Sequence, residues 1–216
     1  IDIDTGFGEP ISAARSVQEF EELGLAGCHL EDQVNPKRCG HLDNKSIVPV
    51  AEMTMKLRAA SDAKKDTNFL LMARTDARAS EGLSAAIDRC KAYIDAGADA
   101  IFPEALQGWE EYEKVREAID VPLLANLTEF GKTPLLNKTE LEELGYNIAI
   151  YPVTSLRLSM KAVEDGFAAI KHQGTQKEIV DRMQTRARLY ELINYEDYNK
   201  FDKDIFNFGT DGHGGE

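Results

Sequence analysis

The stretch "NFLLMART", residues 68–75, carries a continuous apolar run and ends on an arginine and a threonine. Comparable runs occur at 26–32, 98–105, 121–128 and 146–153, and the opening "IDIDTGFG" (1–8) has the pattern of a strand end and its exit loop. Segments with helical periodicity lie between the runs, at 10–23, 50–64, 82–96, 108–119, 139–144 and 156–172. Six strands that alternate with helices predict βαβ units and a parallel sheet.

Each run delivers polar side chains at its C-terminal end; they are Asp2, Asp4, Glu31, Arg74, Glu104, Asn126 and Thr128. This arrangement is typical of the catalytic face of a (β/α)₈ TIM-type barrel. A doubly wound open sheet also places ligands at strand ends. We favour the barrel, although six strands are two short of closure, because the chain begins in mid-strand and we expect earlier units upstream.

Composition and charge narrow the class of protein. With 216 residues and 43% hydrophobic side chains, the chain is large enough for one sizeable core. A net charge of −13 disfavours nucleic acid and acidic membranes as partners, so that an anionic substrate would need local cations or a metal. Three cysteines, no run of about 18 apolar residues and no leader segment predict a cytoplasmic protein.

The opening acids are candidate metal ligands. Asp2 and Asp4 are two residues apart and therefore share one face of a strand, where like charges repel unless a cation lies between them. Together with Glu31 they form an all-oxygen set that suits Mg²⁺, or Mn²⁺, rather than Zn²⁺. The alternative is that the two aspartates are merely solvated terminal acids.

Cys39 lies in the polar, turn-rich segment "NPKRCGHLDN" (35–44), next to two cations and a histidine that favour the thiolate. Such a thiol can act as a nucleophile or as a general acid and base, and Gly40 lets the backbone approach a ligand closely. The alternative, a buried small hydrophobe, suits Cys28 and Cys90 better.

Arg74 offers a bidentate fork for a carboxylate, although Asp76 could neutralise it for purely structural reasons. His29 shares the face of Glu31 and is either a partner of the metal ligands or a packed strand histidine. The final residues, 209–216, have the composition of a disordered tail.

Five motifs carry a family resemblance: "DIDTGFG" (2–8), "EDQVNPKRCGH" (31–41), "MARTDA" (72–77), "FPEA" (102–105) and "NLTEFGKTP" (126–134). In this order and spacing they resemble the isocitrate lyase and phosphoenolpyruvate mutase superfamily, from residue 1 to about residue 208. The Lys-Arg-Cys-Gly-His string is specific to the lyase branch. Isocitrate lyases usually carry a Ser-Pro-Ser-Phe-Asn type segment where this chain has residues 128–131, so the resemblance favours the branch that cleaves 2-methylisocitrate.

The resemblance implies a (β/α)₈ barrel, a Mg²⁺ ion and retro-aldol cleavage of 2-methylisocitrate into pyruvate and succinate, a step of the methylcitrate cycle in propionate catabolism. By the same resemblance the catalytic residues are Cys39, Arg74 and Glu31. Glu31 holds the metal with Asp2 and Asp4, Arg74 binds the portion that becomes pyruvate, and Cys39 is the general acid that protonates the succinate portion. Positions around the succinate portion are Gly40, His41, Glu104, Asn126, Thr128 and Arg157. An apolar recess for the substrate methyl group is expected at Phe102 and Ile150.

We expect residues 1–173 to form the catalytic barrel portion and residues 174–208 to form a helical segment that is swapped with or docked on a neighbouring subunit. A helix over 175–198 would bury an apolar face there, formed by Ile179, Met183, Leu189 and Ile193. The family implies a homo-oligomer, a tetramer, and two further strands upstream that bring a Ser-Gly-Gly type loop and another metal-shell aspartate. Alternatives are an isocitrate lyase, an oxaloacetate hydrolase or a phosphonopyruvate enzyme, or an inactive carboxylate-binding fragment. The Lys-Arg-Cys-Gly-His loop argues against oxaloacetate and phosphonopyruvate chemistry.

Overall fold

The computed structural model describes residues 1–39 and 45–206. Strands and helices alternate through most of this range. In chain order the elements are α1 Pro10–Glu22, β1 Gly27–Glu31, α2 Val50–Ala63, β2 Leu70–Thr75, α3 Ala77–Glu81, α4 Leu83–Asp95, β3 Ala100–Pro103, α5 Trp109–Ala118, β4 Leu124–Asn126, α6 Lys138–Glu143, β5 Ile148–Ile150, α7 Thr154–Gln173, a 3₁₀ helix Lys177–Arg182, α8 Arg186–Leu192 and α9 Tyr195–Phe206.

The strands pair in parallel and in sequence order. One sheet has the order β1-β2-β3, and β4 pairs with β5. A parallel bridge between Ile101 and Leu123 links β3 to the segment that leads into β4. The opening residues run along β1 with a bridge between Asp2 and His29, although they do not form a strand of their own. The predicted α/β fold with parallel pairing is therefore confirmed, with five strands among the described residues instead of six.

Side chains alternate between two sides of these strands, and both sides are buried. On the side covered by the helices, Leu30, Leu71 and Ile101 join the main hydrophobic core. On the other side Met72 and Phe102 belong to a smaller apolar cluster. We call this second side the site face. Because successive residues point to opposite sides of a strand, the same alternation assigns Glu31 and Arg74 to the site face.

The chain divides into two compact units, residues 1–157 and 158–216. In the described part of the second unit, none of the residues 158–205 is buried in the single chain. The prediction of one helix over 175–198 is wrong, because this range is divided among a 3₁₀ helix, α8 and the start of α9. Thr185 caps the start of α8 by accepting a hydrogen bond from the Arg188 N–H, and Asn194, with φ +54°, turns the chain between α8 and α9.

No helix in the described ranges, 1–39 and 45–206, is long and apolar enough to cross a membrane.

Candidate active site

The three predicted metal ligands face one cation, the ammonium of Lys37. Lys37 Nζ lies 2.5 Å from Asp4 Oδ1, 3.4 Å from Asp2 Oδ2 and 3.4 Å from Glu31 Oε2. We call Asp2, Asp4 and Glu31 the carboxylate trio. Asp4 has φ +52°, and its N–H donates to Asp2 Oδ1 at 2.8 Å, so the turn after the opening residues brings these two carboxylates together.

The charges of the carboxylate trio are incompletely balanced. Burial raises the pKa of Glu31 to about 7, against the lowering effect of the Arg74 and Lys37 charges, and among the described residues Glu31 Oε1 is buried without a hydrogen-bond partner. Burial also raises the pKa of Asp2, but hydrogen bonds from His29 and the Asp4 N–H and the charge of Lys37 together hold it well below its usual range. The burial of Glu31 is therefore less well compensated than that of Asp2.

A divalent cation fits this donor set in charge and in ligand type. Three carboxylates share one monovalent ammonium, and carboxylate oxygens are the ligands that Mg²⁺ and Mn²⁺ prefer. Within the described ranges no group of three or more acidic, histidine or cysteine side chains stands close enough to hold a metal ion in the present arrangement. In that arrangement the Lys37 ammonium contacts all three carboxylates, so a metal ion would take the place of the ammonium.

Arg74 lies at the centre of a second set of acids. Its Nε and Nη2 atoms donate to the two oxygens of Asp76 at 3.0 and 3.3 Å. Nη1 lies 3.2 Å from Glu31 Oε2, and Nη2 lies 3.1 Å from Glu104 Oε2. The guanidinium also lies over the ring of Phe102, 4.9 Å from its centroid. Burial lowers the pKa of Arg74, but the surrounding carboxylates raise it further, and the net pKa lies above the usual value. Arg74 therefore remains a buried, permanent cation beside the carboxylate trio.

Glu104 and Asn126 continue the site face beyond Arg74. Glu104 accepts hydrogen bonds from its neighbouring Ala105 N–H at 2.9 Å and from Asn126 Nδ2 at 3.2 Å. Asn126 Oδ1 is buried and has no hydrogen-bond partner among the described residues, which leaves an acceptor open to a ligand. Thr128 follows two residues after β4 and is partly exposed.

Arg157 contacts the loop that follows β4. Its Nε lies 3.4 Å from Glu129 Oε2, and its guanidinium lies 5.0 Å from the centroid of the Phe130 ring. Glu129 also accepts a short hydrogen bond from the Thr154 hydroxyl. The predicted substrate arginine is therefore held at the edge of this loop with about half of its side chain exposed.

The three cysteines differ in their surroundings. Cys28 and Cys90 are buried, as predicted, and burial raises their pKa values to about 11 and about 12. Cys39 is exposed, so the alternative of a packed core residue is wrong for it. The Gln33 side chain fixes the backbone of Arg38, the residue before Cys39. Its Oε1 accepts a hydrogen bond from the Arg38 N–H at 2.9 Å, and its Nε2 donates to the Arg38 carbonyl at 2.8 Å.

Gly40 and His41, which the sequence assigns to the succinate side, lie outside the described residues.

The two candidates for the methyl recess belong to the apolar cluster of the site face. Phe102 is buried between the Arg74 guanidinium and His29, whose ring centroid is 5.7 Å from that of Phe102. Ile150 lines a cavity of about 360 Å³ together with Leu70, Met72 and Leu124. The cluster thus offers apolar surface directly beside the charged groups.

Sequence reasoning missed two features of this region. It treated Lys37 only as a charge near Cys39, whereas the lysine contacts the carboxylate trio. It also gave no role to Asp32, which is fully buried and points to the side opposite Glu31. Strand alternation was the available signal for Asp32, because adjacent residues at a strand end face opposite sides.

Comparisons with known proteins identify the family of the chain. Residues 1–171 match the phosphoenolpyruvate phosphomutase family. "Probable 2-methylisocitrate lyase 1" of Corynebacterium glutamicum is 59% identical over 209 residues, which are 96% of this chain and 68% of the relative. The 2-methylisocitrate lyase of Bacillus subtilis is 53% identical over 95% of this chain and 67% of its own length.

Solved structures of several activities share the fold. Oxaloacetate acetylhydrolase in complex with 3,3-difluorooxalacetate is 35% identical with a TM-score of 0.86, over 94% of this chain and 69% of that one. 2,3-Dimethylmalate lyase, a member of the phosphoenolpyruvate mutase and isocitrate lyase superfamily, is 32% identical with a TM-score of 0.86. The match covers 100% of this chain and 72% of that one. Phosphonopyruvate hydrolase in complex with oxalate and Mg²⁺ is 29% identical with a TM-score of 0.79. The match covers 92% of this chain and 69% of that one. The chain therefore belongs to the phosphoenolpyruvate mutase and isocitrate lyase superfamily, and within it to the family of the 2-methylisocitrate lyases.

Proposed function

We propose that the protein is a Mg²⁺-dependent carbon–carbon lyase that cleaves 2-methylisocitrate into pyruvate and succinate. The observation that carries the proposal is the convergence of the carboxylate trio on one cation, directly beside the buried Arg74. The identity of 59% to a probable 2-methylisocitrate lyase supports the choice of substrate. The reaction belongs to propionate catabolism through the methylcitrate cycle.

Each group in the site has a part in this scheme. The carboxylate trio would hold Mg²⁺, which supplies concentrated positive charge at the hydroxy-acid portion of the substrate. Arg74 supplies positive charge for the carboxylate of the portion that becomes pyruvate, and Asp76, bound to Nε and Nη2, keeps the guanidinium in one orientation. Asn126 and Glu104 are hydrogen-bonded to each other, and we place them around the succinate portion together with Thr128, Arg157, Gly40 and His41.

The chemical step needs one proton acceptor and one proton donor. The substrate hydroxyl gives its proton to solvent water, the carbon–carbon bond breaks with its electron pair passing to the succinate portion, and the hydroxyl oxygen becomes the ketone oxygen of pyruvate. The Cys39 thiol then gives its proton to the succinate carbon. The exposed position of Cys39, two residues after Lys37, suits an acid that reaches the substrate from a loop.

We also propose the assembly that the family implies. Residues 1–173 form part of a (β/α)₈ barrel that upstream strands complete, and residues 174–208 dock on a neighbouring subunit of a homotetramer. Exposed apolar side chains of the second unit support a partner surface; they include Phe167, Val180, Met183, Leu189, Ile193, Tyr198 and Phe201. The expected location is the cytoplasm, with Mg²⁺ or Mn²⁺ as cofactor and no nucleic acid or membrane as partner.

A second candidate is oxaloacetate hydrolysis, because the oxaloacetate acetylhydrolase structure has a TM-score of 0.86 to this chain. Its identity of 35% is well below the 59% of the probable 2-methylisocitrate lyase. Isocitrate lyase activity and an inactive carboxylate-binding fragment are the remaining alternatives.

One assay separates these activities. The purified protein is incubated with Mg²⁺ and, in turn, with 2-methylisocitrate, isocitrate and oxaloacetate, and the products pyruvate, glyoxylate and oxalate are measured. We expect pyruvate from 2-methylisocitrate to form fastest, and we expect excess chelator to abolish it. Full activity in chelator would exclude the metal role, and no product from any substrate would favour the inactive fragment.

A further inference from the structure

Asp32 accepts three hydrogen bonds, two from the end of β2 and one from α4. The Thr75 hydroxyl donates to its Oδ2 at 2.7 Å, the Asp76 N–H donates to Oδ1 at 2.9 Å, and the Tyr93 hydroxyl donates to Oδ2 at 2.7 Å. Arg89 Nη1 lies 3.5 Å from the same Oδ2. Both carboxylate oxygens are therefore bonded, and Asp32 has no exposed surface. We call these five residues, Asp32, Thr75, Asp76, Arg89 and Tyr93, the Asp32 network.

The Asp32 network reaches Arg74 by two routes. The Asp32 N–H donates to the Arg74 carbonyl at 3.2 Å, which fixes the backbone of Arg74. The Asp32 carboxylate accepts a hydrogen bond from the Asp76 N–H, and the Asp76 carboxylate accepts hydrogen bonds from Arg74 Nε and Nη2. From the helix-facing side of the sheet, Asp32 thus fixes both the backbone and the guanidinium of Arg74.

Helix α4 anchors this arrangement. Arg89 Nη1 donates to the Tyr93 hydroxyl at 3.0 Å and to the Val48 carbonyl at 2.9 Å. The other edge of the Arg89 guanidinium binds the Glu81 carboxylate at 2.7 and 2.8 Å. Tyr93 is completely buried, so its hydroxyl has one position and a direct bond to Asp32. Helix α4 therefore fixes the Asp32 carboxylate, which in turn fixes the C-terminal end of β2.

We propose that Asp32, held by Tyr93, is a positioning residue that sets the orientation of the Arg74 guanidinium for the substrate carboxylate. This inference rests on the proposed lyase function only for the identity of the substrate. Neither Asp32 nor Tyr93 contacts the carboxylate trio among the described interactions, so their effect reaches the trio only through Arg74, whose Nη1 lies 3.2 Å from Glu31 Oε2.

The effect on turnover should be moderate. A misplacement of about 1 Å costs on the order of 10²-fold in rate, and the loss of one of several bonds to Asp32 allows less movement than that. We therefore expect Tyr93→Phe, which removes only the hydroxyl, to lower kcat by about 10-fold and to change Mg²⁺ affinity by less than that. The KM for 2-methylisocitrate should change less than kcat, because the guanidinium charge is still present.

Tyr146→Phe is the matched control. Tyr146 is also buried, and its hydroxyl donates to the Tyr112 carbonyl at 3.4 Å, without contact to the Asp32 network among the described residues. Two readouts are compared between the variants: kcat with Mg²⁺, and hydrogen–deuterium exchange of the Asp76 amide. We expect Tyr93→Phe to lower kcat and to speed exchange of that amide, and we expect Tyr146→Phe to change neither.

A second pair covers the case in which Tyr93→Phe does not fold. Thr75→Val removes the hydrogen bond from the Thr75 hydroxyl to Asp32, whereas Thr75→Ser keeps it. We therefore expect only the serine variant to retain the wild-type kcat and the slow hydrogen–deuterium exchange of the Asp76 amide. Equal behaviour of Tyr93→Phe and Tyr146→Phe in both readouts, or of the two Thr75 variants, would overturn the proposal. If the wild type cleaves no 2-methylisocitrate, the lyase function fails, and the Asp76 exchange rates still decide whether the Asp32 network fixes this turn.

Discussion

Glu31 and Asp32 are adjacent acids at the end of β1, yet their surroundings are opposite. Glu31 belongs to the carboxylate trio, where one long lysine side chain contacts three acids and where Glu31 Oε1 has no hydrogen-bond partner in the part of the chain that the structure describes. Asp32 belongs to a network in which both of its oxygens are bonded to buried donors. Incomplete hydrogen bonding suits a site that exchanges a cation, whereas complete hydrogen bonding suits a structural framework. The end of β1 therefore supplies both a cation site and a structural framework, because successive side chains point to opposite sides of the strand.

The largest expected effect is on kcat and concerns Cys39, which belongs to the proposed active site with the carboxylate trio. Cys39→Ser should lower kcat by about 10²- to 10⁴-fold, because an aliphatic hydroxyl is a much weaker acid than a thiol. Stability should change by less than about 0.5 kcal/mol, since the side chain is exposed. Steady-state turnover of 2-methylisocitrate and urea unfolding measure the two quantities.

Cys90→Ser is the contrasting control for that experiment. Cys90 is buried in the main core, so the new hydroxyl should lower the free energy of unfolding and leave kcat of the folded enzyme unchanged. If Cys39→Ser loses only a few-fold in kcat, the general-acid role of Cys39 is wrong.

The next effect tests the two adjacent acids directly. In metal-free protein, Asp32→Asn should lower the free energy of unfolding by about 1–3 kcal/mol, because an amide nitrogen meets buried donors that the carboxylate accepted and Arg89 keeps only Glu81 as a carboxylate partner. Glu31→Gln should cost clearly less, since Glu31 Oε1 has no hydrogen-bond partner among the described residues. Urea unfolding in the presence of chelator measures both. Equal losses would show that the contrast between the two acids has no energetic basis.

The sequence predicted the framework well where one strand or helix decides the outcome. The run at 68–75 becomes β2 at Leu70–Thr75, and the predicted helix at 82–96 becomes α4 at Leu83–Asp95. Local patterns suffice there because both elements bury apolar side chains, α4 in the main core and β2 in the main core and in the apolar cluster of the site face.

Contacts between distant residues could not be predicted in the same way. Tyr93 and Asp32 are 61 residues apart, and no local pattern indicates that a helix tyrosine donates to a strand-end acid. The Lys37 contacts with Asp2 and Asp4 join the opening turn to a loop 35 residues later. The helix predicted over 175–198 failed for a local reason, because Thr185 and Asn194 end and restart helices within a continuous amphipathic pattern.

Substrate choice should produce a smaller effect than the changes at Cys39 and Asp32. If the apolar cluster of the site face receives the substrate methyl group, kcat/KM for 2-methylisocitrate should exceed that for isocitrate by about 10- to 200-fold. Ile150→Ala should reduce this ratio, because Ile150 lines the cavity beside the cluster. Equal kcat/KM values for the two substrates in the wild type would refute the methyl recess and leave the lyase chemistry intact.

The smallest expected effects concern the cation of the carboxylate trio, and they have opposite signs. Asp4→Ala should weaken Mg²⁺ or Mn²⁺ binding by at least about 10-fold, the lower end of what changes at outer partners of a metal site already cost. Lys37→Met should strengthen binding by about 2- to 5-fold, because a partly exposed ion pair of up to about 1 kcal/mol no longer has to be broken. Calorimetric titration with Mn²⁺ measures both without any need for turnover.

Two surface variants provide the controls for this last comparison. Glu9→Ala removes an exposed acid that follows the same turn, and Lys138→Met removes an exposed lysine whose described ion pair is with Glu142 on α6. Both should leave Mn²⁺ affinity unchanged, so that a general effect of net charge is separated from the local one. If Lys37→Met instead weakened binding, the ammonium would support the metal site rather than compete for it. The carboxylate trio would then be a fixed framework like the Asp32 network, and the contrast between the two sides of β1 would be lost.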